Sequence, residues 1–123
     1  MRYMMLIYSN ESAKKTLSPE EKSKGATDAL SYIDEAKRRG IFEAADPLEP
    51  TRTATTVRTQ DGKVMITDGP FAETKEQLGG YFILDCKDLD EALEWASKIP
   101  MRCGRGSGCV EVRPIAELKP QAG

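Results

Sequence analysis

The sequence of 123 residues contains no histidine. That absence removes Ser-His-Asp triads, His-ligated catalytic zinc, proximal-His haem and facial-triad iron sites. It also removes the one side chain whose unperturbed pKa lies near neutrality. Acid–base chemistry would fall to a carboxylate, lysine, tyrosine or cysteine with a shifted pKa. An excess of charge is missing too: 18 Lys+Arg stand against 20 Asp+Glu, for a formal net charge of -2. Proteins that grip nucleic acid by neutralising phosphates carry a basic excess or stripe, so no nucleic-acid partner is expected. No apolar run approaches the roughly 20 residues that cross a bilayer, and no membrane partner is expected. The apolar stretch at 3–8 is too short for a signal peptide and lacks a small-residue cleavage site. Cysteine is scarce, with three residues. Without an export signal these read as reduced cytoplasmic thiols, and without histidine they make a poor zinc set. No metal and no cofactor is expected.

What is present is an ordinary globular balance, 39% hydrophobic and 31% charged, in a chain long enough for one core. A single domain is expected over residues 1–116, with 117–123 a frayed tail. Residues 3–8 read as a buried strand, and 9–16 as a polar stretch. Ser18-Pro19-Glu20-Glu21 then opens a helix: Ser18 caps free amides, Pro19 takes the first helical position and Glu21 completes a capping box. Ala26, Ala29, Leu30, Ile33 and Ala36 give its amphipathic stripe, and Lys37, Arg38, Arg39 and Gly40 its C-terminal end.

Residues 41–48 start as a strand that Pro47 and Pro50 end or place at an edge. Asp61-Gly62, between the β-prone segments 53–59 and 64–67, is a strong hairpin signal. Asp68-Gly69-Pro70-Phe71 is a second turn, 72–78 a loop or short helical turn, and Gly79-Gly80 a reset before a strand at 81–86. A second helix follows Asp88, with Leu89, Ala92, Leu93, Trp95, Ala96 and Ile99 on its apolar stripe and Pro100 at its stop. Cys109 begins a last strand over 109–115. Strands and helices interleaved around a hairpin point to an α+β ferredoxin-like sandwich with an antiparallel sheet.

Apolar residues occupy both parities of the first strand and of 81–86, so both sheet faces need cover. Two helices shelter one. The economical cover for the other is the same sheet of a second chain, a homodimer with an isologous interface. Loops at 41–53 and 68–80 folding over that face are the alternative.

Ionisable groups crowd around the second turn. Asp68 is a candidate acid–base group or substrate anchor, against an Asx-type turn in which its side chain accepts a backbone amide. Glu73, Lys75 and Glu76 read as solvated charges. Tyr8 and Tyr81 either line a cleft or serve as core aromatics with a polar tip. Arg113 offers an anion a bidentate partner or makes a surface ion pair. Gly104-Arg105-Gly106-Ser107-Gly108 lacks the lysine and following helix of a phosphate loop, and Cys103 and Cys109 flank it.

Three stretches carry a resemblance: Arg2-Tyr3-Met4-Met5-Leu6-Ile7-Tyr8, Ala54-Thr55-Thr56-Val57-Arg58, and above all the run from Thr67-Asp68-Gly69-Pro70-Phe71 to Gly79-Gly80-Tyr81. With Asp90-Glu91-Ala92-Leu93-Glu94-Trp95-Ala96 and Val110-Glu111-Val112-Arg113-Pro114, they resemble the YCII-related family in its DGPF-containing branch, over residues 2–115. The resemblance implies a dimeric α+β barrel and a small cytoplasmic bacterial protein of mostly unassigned activity. It also implies kinship with proposed enzymes that use a His–Asp pair in a cleft, of which only Asp68 has a counterpart here. Association with a sigma factor, as an accessory or regulatory protein, is a further implication.

Three roles follow as expectations. The first is a homodimeric small-molecule-binding or accessory protein, its pocket lined by Tyr8, Asp68, Phe71 and Tyr81. The second is a histidine-free enzyme using Asp68, with Lys75 or Arg113 holding a small anionic substrate. The third is a protein-binding regulator.

Overall fold

A computed structural model describes residues 1–100 and 108–120. In chain order these form β1 (Arg2–Ser9), α1 (Glu11–Lys14), α2 (Pro19–Arg38), β2 (Phe42–Pro47), a 3-10 turn at Thr51–Thr53, β3 (Thr55–Gln60), β4 (Lys63–Asp68), β5 (Gln77–Asp85), α3 (Leu89–Ser97) and β6 (Cys109–Pro114). The fold is α+β. A four-stranded antiparallel sheet has the order β2-β5-β1-β6, and β3 and β4 pair only with each other.

Local chemistry explains most boundaries. The Ser18 hydroxyl accepts from the Glu21 amide at 3.1 Å and Glu21 returns a 3.1 Å contact to the Ser18 amide, the capping box expected at the start of α2. Gly40 ends that helix with φ 72°. Asp88 caps α3 by accepting from the Glu91 amide at 2.9 Å. At the hairpin tip both Asp61 and Gly62 have positive φ, 51° and 77°, which lets the turn follow the strand twist.

Three expectations need correction. The polar stretch after β1 contains the short helix α1, which Asn10 caps by accepting from the Ser12 amide. The apolar stripe of α2 is rotated: Tyr32 and Ala36 are buried, whereas Leu30 is exposed. Tyr32 wins because its ring packs edge-on to Phe82 and Trp95 while its hydroxyl donates to the Trp95 carbonyl at 2.8 Å. Finally, Gly79 and Gly80 do not interrupt the strand but lie inside β5. Ile7 pairs with Gly80 and Tyr8 with Leu78, so Gly79 is the extra residue of a bulge. A Cβ on Gly80 would stand 3.0 Å from the Asp46 carbonyl oxygen of β2, so tight that the β2 backbone would have to give way to any other residue.

The core lies between one sheet face and the helices. Tyr3, Met5, Phe82, Leu84 and Cys86 meet Tyr32, Ala36, Ala92, Trp95 and Ile99 there. On the opposite face Met4, Leu6, Tyr8, Leu78, Tyr81 and Ile83 are only half-buried. No described helix is long and apolar enough to cross a membrane.

Candidate functional site

Only the second half of α2 packs tightly. Its buried residues are Tyr32 and Ala36, and nothing before them is buried. The first half spans a cavity of about 690 Å³, a size typical of small-molecule sites. Small residues on opposing walls leave that room: Gly25, Ala26 and Ala29 on the helix, Ser9 and Gly79 on the sheet. Ile7, Leu17, Pro47, Leu48, Pro50 and Pro100 complete a largely apolar lining.

One end of the cavity is pinned by Glu11. Its carboxylate accepts from the Thr51 amide and the Thr51 hydroxyl, each at 2.8 Å, and its own amide donates to the Gln77 side-chain oxygen at 2.9 Å. Three chain segments distant in sequence are thereby joined at one wall: α1, the 3-10 turn and the start of β5. Glu21, the other carboxylate of the lining, accepts from Ser18 in the capping box.

The polar groups on the floor are differently placed. Ser9 is 4% exposed, yet its hydroxyl makes no hydrogen bond among the described residues, and it lines the cavity. The Lys14 ammonium also lacks an ion pair or hydrogen-bond partner there. Both groups converge on the bulge: a Cβ on Gly79 would lie 3.3 Å from Lys14 Nζ and 3.8 Å from Ser9 Oγ. Lys15, Lys22 and Arg52 add exposed positive charge to the lining, none of it ion-paired among the described residues. Among the described residues the lining thus carries four cations against two engaged carboxylates, in a chain of net charge -2.

None of the six residues singled out from the sequence lines this cavity. Tyr8, Tyr81 and Arg113 share the opposite sheet face, by their registers with Cys109, Leu6 and Met4. There the Tyr81 hydroxyl donates to Asp46 Oδ2 at 2.7 Å, and that bond, more than burial, pushes its pKa above the ordinary tyrosine range. Arg113 makes the surface ion pair with Glu111 at 2.7 Å, which raises its already high pKa. Asp68, Phe71 and Lys75 are exposed, at the end of β4 and in the loop after it. The Asp68 carboxylate makes no hydrogen bond among the described residues, so it does not form the Asx-type turn. The turn is closed instead by the Gly69 amide on the Ala54 carbonyl at 2.7 Å and the Thr56 hydroxyl on the Gly69 carbonyl at 2.8 Å.

Sequence reasoning passed over Ser9, Glu11, Lys14 and Gly79. One signal was available: Ser9 continues the core parity of Tyr3, Met5 and Ile7, and a hydroxyl at a core position needs a partner. The phosphate-loop question and Cys103 lie outside the described residues. Cys109 is exposed at the start of β6 and Cys86 is buried. Among the described residues no cluster of three or more Cys, Asp and Glu side chains is arranged to hold a metal ion.

An antiparallel α+β domain with a helix-roofed cavity is the class that fold and site define. The chain belongs to the YCII-related domain family, whose pattern it matches over residues 1–119. It is also 38% identical over 120 residues to the uncharacterized protein R00369 of Rhizobium meliloti (strain 1021), a match covering 98% of this chain and 96% of that protein.

Proposed function

We propose that the chain is a homodimeric small-molecule-binding protein whose ligand occupies the cavity beneath the first half of α2. The observation that carries this is the unpartnered Ser9 hydroxyl on the floor of an apolar chamber. Among the described residues no fully buried side-chain oxygen or nitrogen lacks a partner, so the Ser9 hydroxyl opens onto the cavity, where it can bond a group that enters. The reading moves the ligand from the Asp68 turn to the helix-covered side of the sheet. There Tyr8, Tyr81 and Arg113 have no part in binding it.

The strand order β2-β5-β1-β6 supports a ferredoxin-like sandwich, and the half-buried second face supports its pairing into a dimeric α+β barrel. The Asp68-Gly69-Pro70-Phe71 turn supports placement in the DGPF-containing branch. The balanced charge and sparse cysteines support a cytoplasmic location.

A second reading, protein binding, is favoured by the β3–β4 hairpin. Val57, Val64 and Ile66 share one of its faces and are 62%, 64% and 71% exposed, and Phe71 just beyond is 76% exposed. A two-stranded ribbon with a bare apolar face is marginal alone and gains stability from a partner. The partner is a second copy of the chain in the homodimer reading, or a transcription factor in the regulatory one.

Amide chemical-shift mapping with a set of small acids, amides and alcohols tests the main reading. Saturable shifts at Ser9, Gly25 and Gly79 are expected. If every member leaves these amides unmoved, the cavity is not a ligand site.

A further inference from the structure

The cavity's chemistry narrows its ligand. We infer that it takes a small monocarboxylate with an apolar body, the carboxylate lying on the Lys14 ammonium and Ser9 hydroxyl beside Gly79. This rests on the cavity being the ligand site.

Three features select this class. First, the floor offers a cation and a hydroxyl donor at one point, a pairing that suits an oxyanion, since charge-assisted hydrogen bonds are the strong ones. Both groups border the space above Gly79, where any other residue would put a methyl. The bulge glycine thus keeps open the place where an oxygen would sit. Second, the carboxylates of the lining are already engaged: Glu11 holds Thr51, and Glu21 caps α2. The ammonium is left for a ligand. Third, the remaining walls are Ile7, Leu17, Leu48 and prolines, which favour a hydrocarbon body. A dianionic phosphate would bring a second charge into that setting, with one floor cation to meet it and a larger desolvation penalty. Lys15, Lys22 and Arg52 are exposed and act at longer range, drawing anions toward the opening.

The test uses the unmodified chain with matched probes: hexanoate and benzoate, their uncharged amides, and inorganic phosphate, followed by titration calorimetry and amide shifts. The acids are expected to bind saturably, with the largest shifts at Ser9 and Gly79, and the amides at least about tenfold more weakly, as loss of a charged hydrogen bond implies. Lys14→Met should erase the preference for acid over amide. Gly79→Ala, which pushes its methyl against Lys14 Nζ, should weaken the acids selectively. Equal affinity for acid and amide overturns the carboxylate inference and leaves the cavity reading standing. Phosphate binding as tightly as the acids, with the same shifts, also overturns it. No binding by acid or amide overturns both readings. The comparison of acid with amide needs no variant, so a poorly folded Lys14→Met chain does not blunt it.

Discussion

Tyr32 joins the two helices to the sheet through one side chain. Its ring centroid lies 4.9 Å from that of Phe82 and 5.6 Å from that of Trp95, and its buried hydroxyl serves the Trp95 carbonyl. Tyr32→Phe should cost about 1–2 kcal/mol, read as a lower urea midpoint at unchanged slope. An unchanged midpoint would mean that the bond is balanced by hydration of the unfolded chain. Cys86 behaves as a core residue. Burial first, then the nearby Glu91 and Asp85 charges, push its thiol from 9.0 to about 11. It should resist alkylation at pH 8 in the folded chain while exposed Cys109 reacts, as site-resolved mass spectrometry would show. The raised pKa also sets a sign. Stability is full below pH 9.0 and falls as pH climbs toward 11, because the unfolded chain loses its proton first. Tyr32, raised in the same direction by burial, extends that loss to higher pH. The partners of Tyr32, Phe82 and Trp95, are far along the chain, and the stripe through Ala26 and Leu30 accordingly misplaced the buried edge of α2.

At the scale of elements, α2 divides into a packed half and a roofing half. No residue of the roofing half is buried, so its start leans on the Ser18–Glu21 capping box. Ser18→Ala should destabilise the protein by about 1 kcal/mol and speed amide exchange over residues 20–26. Exchange that changes equally along the whole helix would argue against this division. This cap, the Pro19 start, the Asp61-Gly62 hairpin and the Asp88 cap were all legible, since each is a bond or dihedral preference acting within four residues. The β5 start was not. Gly79-Gly80 reads as a break until β1 and β2 are set on either side, where the bulge and the close approach of Asp46 account for both glycines.

For the whole molecule, the question is what covers the second sheet face and the bare side of the hairpin. If a second copy does, sedimentation equilibrium should return twice the 13.6 kDa chain mass. Ile83 lies on that face away from the helices, so Ile83→Asp should give a folded monomer by placing a charge in the interface. A variant that stays dimeric would move the interface elsewhere, the hairpin being the next candidate. In the monomer the β3–β4 amides should exchange quickly, because these strands pair only with each other.

The amino-acid order by itself determined most of the elements, the α+β class and the presence of two apolar sheet faces, because capping, periodicity and turn chemistry are local. Where the cavity lies was decided by the tertiary structure. It exists because Gly25, Ala26 and Ala29 come to stand over Ser9 and Gly79, and because Glu11 ties α1 to Thr51 and Gln77. A space between small residues has no local signal. It appears only when segments apart in sequence, such as Glu11 and Thr51 or Gly25 and Gly79, are packed against each other.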